Sequence, residues 1–261
     1  MKIAAYPKIA DGRADVDYLI ESGYKSIDLA ADERLCGKES LVSIIEYAFS
    51  KGLEVGFHAP FRGLNIISTD AETRLLSVEQ IKKSIDLAAE YGIPVVTFHP
   101  GKPTSEEESV EDAWARLFSA VEDIAAYAKE KRVRASIENM EKRAFEIVCT
   151  LEDLNRFAYI AEDNEYFGVT LDFVHLSTHG IFEPDLSELK LPIYDVHISQ
   201  NAGGKTHHPL TVEGGTVHLD AVVKSLLDYG YDGFAVLEVN GGRKRSLDVM
   251  NSTIEKIRNE K

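Results

Sequence analysis

Three features of the 261-residue sequence predict a (β/α)8 barrel. Short apolar segments alternate with longer amphipathic ones, and no linker rich in proline, glycine or serine divides them. The apolar segments number eight and are largely apolar on both faces, as the strands of a buried parallel sheet are. Candidate ligand residues recur where these strands end. A closed barrel would gather them on one face, whereas a doubly wound open sheet, the alternative fold, would spread them along a line. We therefore expect one barrel domain over residues 1–261.

The predicted strands are short and end in polar or ionisable residues or in turns. In chain order they are Lys2–Tyr6, Lys25–Leu29, Leu53–His58, Pro94–His99, Arg134–Asn139, Phe167–Asp172, Ile193–Ile198 and Phe234–Val239.

Helical patterns follow most of these strands. Helices are predicted over Ala14–Ser22, Glu39–Ser50, about Leu151–Ile160 and Leu219–Asp228. A longer helix follows the N-cap candidates Ser68–Asp70, places Leu75, Val78, Ile81, Ile85 and Ala88 on one face, and ends at Gly92. Ser105 and Glu108 have the spacing of a capping box, which would open a helix running to about Lys131. The last helix is expected from Ser246.

Composition indicates an ordinary globular protein, because 44% of the residues are apolar and 28% are charged. No apolar run approaches the length of a membrane-spanning helix, and Lys2, Pro7 and Lys8 interrupt the apolar segment that a signal peptide needs. The two cysteines, Cys36 and Cys149, indicate neither a disulfide framework nor a zinc knuckle. We expect a cytoplasmic protein without a membrane partner. The net charge of −15 disfavours sequence-independent binding to nucleic acid, although bound divalent cations would neutralise part of a site.

Imidazoles and carboxylates recur at or just after the ends of the predicted strands. The set comprises His58, His99, Glu138, Asp172, His175, His197, His207 and Glu238. Each residue alone could be a helix cap or a hydrogen-bonded core residue. Burying all of them around one barrel mouth would be costly unless they were paired or bound a metal. Imidazole and carboxylate donors without a thiolate favour Zn²⁺ or Mn²⁺, with Co²⁺, Mg²⁺ and Fe²⁺ as alternatives.

Two loops are candidates for anion binding. Residues 201–205 follow the seventh strand, and residues 240–245 follow the eighth, where barrels often bind phosphate. Arg243, Lys244 and Arg245 precede a predicted helix start, where the helix dipole disfavours cations. Binding an anion would explain them, and an exposed basic turn is the alternative.

Several short motifs together resemble the xylose isomerase-like superfamily of barrels over nearly the whole chain. They are His58-Ala-Pro-Phe-x₃-Asn65, Phe98-His99-Pro-Gly101, Ile137-Glu138-Asn139, Gly168-x₃-Asp172-x₂-His175, Val196-His197, His207-x-Pro-Leu and Leu237-Glu238. The superfamily contains sugar isomerases and epimerases as well as apurinic-site endonucleases of the endonuclease IV class.

Resemblance to the sugar isomerases and epimerases implies one metal ion and a small sugar or sugar phosphate as substrate. Its ligands would be Glu138, Asp172, His197 and Glu238, and the two glutamates would also act as base and acid. The resemblance further implies that His175 holds a substrate hydroxyl. Lys205, Asn201 and Arg243 would contact the substrate, with the two cations on an anionic group.

Resemblance to endonuclease IV implies three zinc ions and DNA as the partner. Eight of its nine ligand positions are filled by the strand-end set, whereas the ninth, an aspartate in that class, is Lys205. The loops after the first two strands are short and offer only Arg34 as an obvious DNA contact. A non-catalytic metabolite-binding barrel is a third class, which the intact Glu138 and Glu238 disfavour. The branch, the number of metal ions and the oligomeric state stay open at this point.

Overall fold

The computed structural model describes residues 1–260 and confirms the (β/α)8 barrel. The strands are β1 (Lys2–Ala5), β2 (Ser26–Ala30), β3 (Glu54–His58), β4 (Val95–Phe98), β5 (Arg134–Glu138), β6 (Phe167–Asp172), β7 (Ile193–Ile198), β8 (Gln200–Ala202), β9 (Lys205–His208) and β10 (Phe234–Leu237). Eight of them form a closed parallel barrel in the order β1-β10-β7-β6-β5-β4-β3-β2. Pairing of β1 with β10 closes the ring, from Lys2 beside Phe234 to Ala5 beside Leu237. An open sheet is thereby excluded.

Helices surround the barrel. They are α1 (Arg13–Ser22), α2 (Glu33–Cys36), α3 (Lys38–Ser50), α4 (Ala71–Tyr91), α5 (Val110–Lys131), α6 (Leu151–Asn155), α7 (Ala158–Glu162), α8 (Phe173–Thr178), α9 (Leu219–Tyr229) and α10 (Arg243–Asn259). Among residues 1–260, no helix combines the length and the apolar character that crossing a bilayer requires.

The core lies between the barrel and the helices. Helix α5 shows why these segments are helical, because its buried Leu117, Val121, Ile124 and Ala128 recur every three or four residues on the face toward the barrel. All six residues of β6 are buried, as expected for a strand covered on both sides. Burial of a large aliphatic side chain, such as that of Leu117 in α5, stabilises the folded state by about 1.5–3 kcal/mol.

Part of the barrel interior is polar. Thr170 bonds to both Thr97 and Ser136, each at 2.8 Å between hydroxyl oxygens, and the Thr97 hydroxyl donates to Asp195 Oδ2 at 3.3 Å. Asp28 is also fully buried within the barrel. These groups lie below the strand ends and form a polar floor under the mouth.

The expected capping box at Ser105 is wrong. Helix α5 begins at Val110, and its N-cap is Ser109, four residues after Ser105; the Ser109 hydroxyl oxygen accepts the Asp112 N–H at 3.2 Å. The Glu108 carboxylate instead accepts the Thr104 N–H at 3.0 Å and pairs with Arg116.

Other local predictions also need correction. Leu75 is 65% exposed, whereas the other apolar positions predicted for that face of α4 are buried. The helix expected over Leu151–Ile160 is broken into α6 and α7, which places Phe157 in the core against Trp114 and Phe118. Helix α10 begins at Arg243 rather than at Ser246.

Two elements lie in segments expected to be loops. Helix α8 follows β6 directly and carries His175, and the antiparallel hairpin of β8 and β9 carries His207. Both elements lie at the mouth of the barrel and position residues of the predicted ligand set.

Candidate metal centre and active site

Glu138 is the centre of the predicted site. It is the last residue of β5, its side chain is 1% exposed, and four imidazoles surround its carboxylate. Oε2 lies 3.3 Å from His58 Nε2 and 3.1 Å from His99 Nε2. Oε1 lies 3.1 Å from His197 Nδ1 and 3.6 Å from His175 Nδ1. Each oxygen therefore faces a separate pair of histidines.

The parallel register brings these side chains to one level. Asp172 is the direct partner of His197 across β6 and β7, and His58 is the partner of Thr97 across β3 and β4. Glu238 follows β10 directly, and its Oε2 lies 3.4 Å from the same His197 Nδ1 that Glu138 approaches. With His99, which follows β4, and Glu138, which ends β5, the mouth gathers carboxylates and imidazoles from six different strand ends.

Asn139 orders the Asp172–His175 segment and was not among the predicted site residues. Its side chain donates to the Asp172 carbonyl at 3.0 Å and accepts the Asp172 N–H at 2.9 Å. Its own carbonyl lies 2.8 Å from His175 Nδ1. Asp172 caps α8, because its Oδ1 accepts the His175 N–H at 2.8 Å.

Hydrogen bonds to carbonyls select the tautomers of two histidines. His58 Nδ1 lies 2.8 Å from the Ala59 carbonyl, and His175 Nδ1 lies 2.8 Å from that of Asn139. A carbonyl accepts a hydrogen bond, so each Nδ1 carries a proton in the neutral imidazole and each Nε2 keeps a lone pair. Such orientation by outer partners is typical of histidines that bind metals.

The residues fit a divalent metal ion in two adjoining groups. One comprises His58, His99 and Glu138, and the other comprises Glu138, Asp172, His197 and Glu238; within each group the ligand atoms lie within 4.8 Å of one another. Asp172 Oδ2 is buried and makes no hydrogen bond, which is costly for a carboxylate unless it binds a cation. Imidazole and carboxylate donors match Zn²⁺, Mn²⁺ and related ions.

Without a metal ion, attraction between ionised carboxylates and protonated imidazoles holds the network together. Burial would raise the pKa of Glu138, but the charge and hydrogen bond of His197, with hydrogen bonds from His58 and His99, hold it well below its usual range. Burial opposes protonation of His197 as well, yet Glu138 and Glu238 raise its pKa well above the ordinary value. The pKa of Glu238 is about 2, because His197 and His207 outweigh burial.

Two further carboxylates lie beneath His197. Asp195 Oδ2 is 3.9 Å from His197 Nε2, and burial followed by repulsion from Asp28 raises the pKa of Asp195 well above its ordinary value. Tyr6 approaches the same Nε2 at 3.5 Å. Because Nε2 faces these groups, Nδ1 is the nitrogen of His197 that faces the metal-binding group.

A cavity of about 1480 Å³ opens above the cluster, with room for a small sugar. Its lining includes Phe61, His99, Glu138, His175, His207 and Glu238. Phe61 stacks on His99, with ring centroids 4.4 Å apart, and its side chain was not predicted as part of the site. The two glutamates differ in exposure to the cavity. The Glu238 side chain is 32% exposed, whereas that of Glu138 is 1% exposed.

Of the three residues predicted only as substrate contacts, two lie outside the cavity lining and the third is paired within the protein. Lys205 is exposed on β9, Asn201 is half-buried on β8, and neither lines this cavity. Arg243 lines the cavity, but both of its terminal nitrogens donate to Asp15 at 2.6 Å. Contacts of these residues with a substrate stay predictions. Arg34, the candidate DNA contact, is held by Asp32 through two bonds of 2.7 Å.

Known proteins resemble this chain over half of its length or more. An uncharacterized protein of Methanocaldococcus jannaschii is 30% identical over 215 residues, covering 80% of this chain and 72% of the relative. A probable endonuclease 4 of Acholeplasma laidlawii is 27% identical over 135 residues, covering 50% of this chain and 44% of that protein.

Solved structures show the same fold. A D-tagatose 3-epimerase-like protein superposes with a TM-score of 0.88 at 24% identity, covering 100% of this chain and 99% of its own. D-psicose 3-epimerase of Clostridium cellulolyticum H10, solved with D-tagatose, has a TM-score of 0.74 at 16% identity, covering 97% of this chain and 99% of its own. The model of the xylose isomerase-like TIM barrel family matches residues 16–259, and the chain belongs to this family.

Proposed function

We propose that the protein is a divalent-metal-dependent isomerase or epimerase that acts on a small sugar or sugar phosphate. The observation that carries this proposal is the convergence of Glu138 and Glu238 on His197 Nδ1, at 3.1 and 3.4 Å, on the floor of a sugar-sized cavity. Two carboxylates around one metal-binding position are what proton transfer next to a carbonyl requires. The epimerases among the structural relatives support the same reaction class.

The metal would be held by Glu138, Asp172, His197 and Glu238. When bound, it would polarise the carbonyl of a ketose and make the neighbouring C–H more acidic. Glu238 is the better exposed glutamate, and it would accept that proton. Glu138 lies deeper and would return a proton to the carbon, a proton that it must first take from solvent because it too is ionised. His175, which lines the cavity, would bond to a substrate hydroxyl.

Activity on a sugar panel tests the proposal. Ketopentoses, ketohexoses and their phosphates are incubated with protein loaded with Zn²⁺ or Mn²⁺, and products are separated by chromatography. We expect isomers or epimers from at least one compound, and a loss of about 10²–10⁴-fold in rate for Glu238→Gln. Glu183→Gln is the matched control, because Glu183 is 65% exposed and lies outside the cavity lining. Full activity in Glu238→Gln would contradict the proposal.

An endonuclease IV-like phosphodiesterase is the second candidate. The specific observation favouring it is the group of His58, His99 and Glu138, which shares Glu138 with the first group and so permits two bridged ions. Paired ions can stabilise the attacking and leaving oxygens at a phosphorus. Incision of a duplex oligonucleotide with one abasic site, lost in Glu138→Gln, would favour this function. Absence of incision by protein with measured bound metal would favour the sugar enzyme.

A further inference from the structure

Large apolar side chains line one side of the cavity and are left exposed there. Leu35 lies in α2, Phe61 follows β3 by three residues, and Phe145 lies between β5 and α6. Their exposed fractions are 50%, 41% and 37%, although all three line the cavity. With the half-buried Leu64 and Met140, which also line it, they form what we call the apolar wall. An apolar group that covers such a surface is bound favourably, because it removes apolar area from water.

The apolar wall adjoins the metal-binding groups. The Phe61 ring stacks on His99 with centroids 4.4 Å apart, and His99 Nε2 lies 3.1 Å from Glu138 Oε2. His197, which Glu238 approaches at 3.4 Å, faces the other oxygen of Glu138. A substrate that reacts beside Glu238 and extends across Glu138 would therefore contact the wall.

Phe145 is held in a backbone conformation that is unfavourable for a bulky residue. Its φ is +70°, and it is the third residue of a turn in which the Glu146 N–H donates to the Arg143 carbonyl at 3.4 Å. Glycine or asparagine is preferred where a turn needs a positive φ. The Glu146 carboxylate pairs with Lys102 at 3.2 Å, which ties the turn to the loop after β4. A strained residue that lines a cavity is typical of a binding position.

Polar side chains that line the same side of the cavity are occupied within the protein. Asn65 donates to the Lys102 carbonyl at 2.7 Å, and its Oδ1 accepts the N–H groups of Ile67 and Lys102 at 3.2 Å. The Ser77 hydroxyl accepts the Asn65 N–H at 2.8 Å, and the Lys102 ammonium is paired with Glu146. A sugar hydroxyl placed beside these groups would lose its hydrogen bonds to water and gain few in return, which is costly. This side of the cavity therefore suits an apolar group better than a sugar.

The size of the cavity also indicates a ligand larger than one sugar. Its volume of about 1480 Å³ exceeds the roughly 300–1,000 Å³ of pockets that bind drug-sized molecules. We propose that the apolar wall is a subsite for an apolar substituent of the substrate, so that the preferred substrate is a sugar joined to an aryl or alkyl group rather than a free sugar. This inference rests on the function proposed above, because the metal centre holds the sugar unit. A free ketose would reach the metal centre and leave the wall uncovered.

Chelating probes with and without a phenyl ring test the subsite. Acetohydroxamate binds a metal ion through two oxygens and carries only a methyl group, whereas phenylacetohydroxamate and phenylpropionohydroxamate add a phenyl ring at the end of a short chain. Calorimetry measures the affinity of each compound for protein loaded with Zn²⁺. We expect at least one phenyl compound to bind about tenfold or more tighter than acetohydroxamate, because its ring covers the wall.

Variants of the wall show where the ring binds. Leu35→Ala and Phe145→Ala should each lower the ratio of phenyl to methyl affinity, with circular dichroism confirming that both are folded. The matched controls are Leu75→Ala and Phe182→Ala, because these residues are 65% and 39% exposed and lie outside the cavity lining. Both controls are expected to keep the wild-type ratio.

Unfolding of Phe145→Gly separates a binding role from a structural one. Glycine adopts a φ of +70° without strain, so the metal-free variant is expected to unfold at or above the wild-type temperature while its affinity ratio falls. Equal affinities of the wild type for all three hydroxamates, or an unchanged ratio in folded Leu35→Ala and Phe145→Ala, would overturn the subsite and leave the proposed reaction standing. Failure of acetohydroxamate itself to bind protein of measured zinc content would overturn both, because no metal ion would then be open to the cavity.

Discussion

The two carboxylate oxygens of Asp172 have different surroundings, and one of them caps the helix that carries His175. Oδ1 accepts the His175 N–H at 2.8 Å, whereas the buried Oδ2 makes no hydrogen bond and lies 3.5 Å from His175 Nδ1. The three-residue spacing of these residues is that of an N-cap and the third residue of its helix. The spacing of Asp172 and His175 thus determines both the start of α8 and the positions of these two candidate ligands.

Replacing Asp172 should separate these two roles. Asparagine is also a good N-cap, so Asp172→Asn is expected to keep the unfolding free energy of the metal-free protein within about 1 kcal/mol, whereas Asp172→Ala loses about 1–2 kcal/mol. Both variants should lose metal affinity by more than about 10–100-fold, which is the typical loss when a residue that only supports a ligand is replaced. Urea unfolding and Zn²⁺ titration measure the two effects. Wild-type affinity in Asp172→Asn would remove Asp172 from the ligand set.

Metal affinity and metal-free stability should change in opposite directions as pH rises above neutrality. The folded state raises the pKa of His197 well above its ordinary value, so between about 6.5 and that raised pKa the folded protein binds more protons than the unfolded one. The stabilisation from His197 is therefore full below about pH 6.5 and is lost as pH rises through the folded pKa. Metal binding must displace this proton, so affinity rises over the same range.

Calorimetry of Zn²⁺ binding in buffers of different ionisation enthalpy measures the released protons. Urea unfolding of the metal-free protein at several pH values measures the stability change. Zinc binding without proton release at pH 7 would be incompatible with a protonated His197 in the metal-free network.

The ion pair of Arg243 and Asp15 is expected to stabilise the fold by joining α10 to α1. Their side chains are 10% and 7% exposed, and two bonds of 2.6 Å connect them. Removing one partner of so buried a pair typically costs about 3–5 kcal/mol. Arg243→Ala and Asp15→Ala should each approach this loss, and the double variant should lose less than their sum. Additive losses in denaturant unfolding would mean that the pair is not coupled.

Gly101 is expected to tolerate substitution poorly, because it lies against Asn65. A Cβ at Gly101 would be 2.3 Å from Asn65 Oδ1, and that oxygen accepts the N–H groups of Ile67 and Lys102 at 3.2 Å. Gly92 is a matched control, because its φ is +69° against +71° for Gly101 and its Cβ would meet nothing within 4 Å.

Alanine at Gly92 should cost about 1–2 kcal/mol through its backbone conformation alone. Alanine at Gly101 should cost about 1–3 kcal/mol more, because the Asn65 amide must move. Equal losses for the two variants in thermal or urea unfolding would show that Asn65 moves freely.

The strand ends were predictable from the sequence, because a parallel barrel places every carboxyl end on one face. Glu138, Asp172 and His197 could therefore be grouped before their distances were known. The start of α5 was harder to predict, because Ser105 and Ser109 are equally good N-caps when only the neighbouring sequence is considered. The choice between them depends on Arg116, which takes the Glu108 carboxylate that a capping box would need.

Contacts between distant segments were not predictable. Asp15 and Arg243 are 228 positions apart, so no local pattern indicated that the arginine pairs within the protein rather than with an anion. His207 shows the same limit, because it belongs to a hairpin in a segment expected to be a loop. Only the folded barrel brings its Nδ1 to 3.7 Å from Glu238 Oε2.

Proton exchange with solvent is the most direct test of the proposed chemistry. Metal-loaded protein in D₂O is incubated with ketoses and ketose phosphates, including D-tagatose and D-psicose, and proton NMR follows the hydrogens on the carbons next to the carbonyl. We expect deuterium to replace one such hydrogen in at least one compound, with exchange lost in Glu238→Gln and kept in Glu183→Gln. Exchange that continues unchanged in Glu238→Gln, or no exchange in any compound by protein with full metal content, would contradict a metal-dependent sugar isomerase or epimerase.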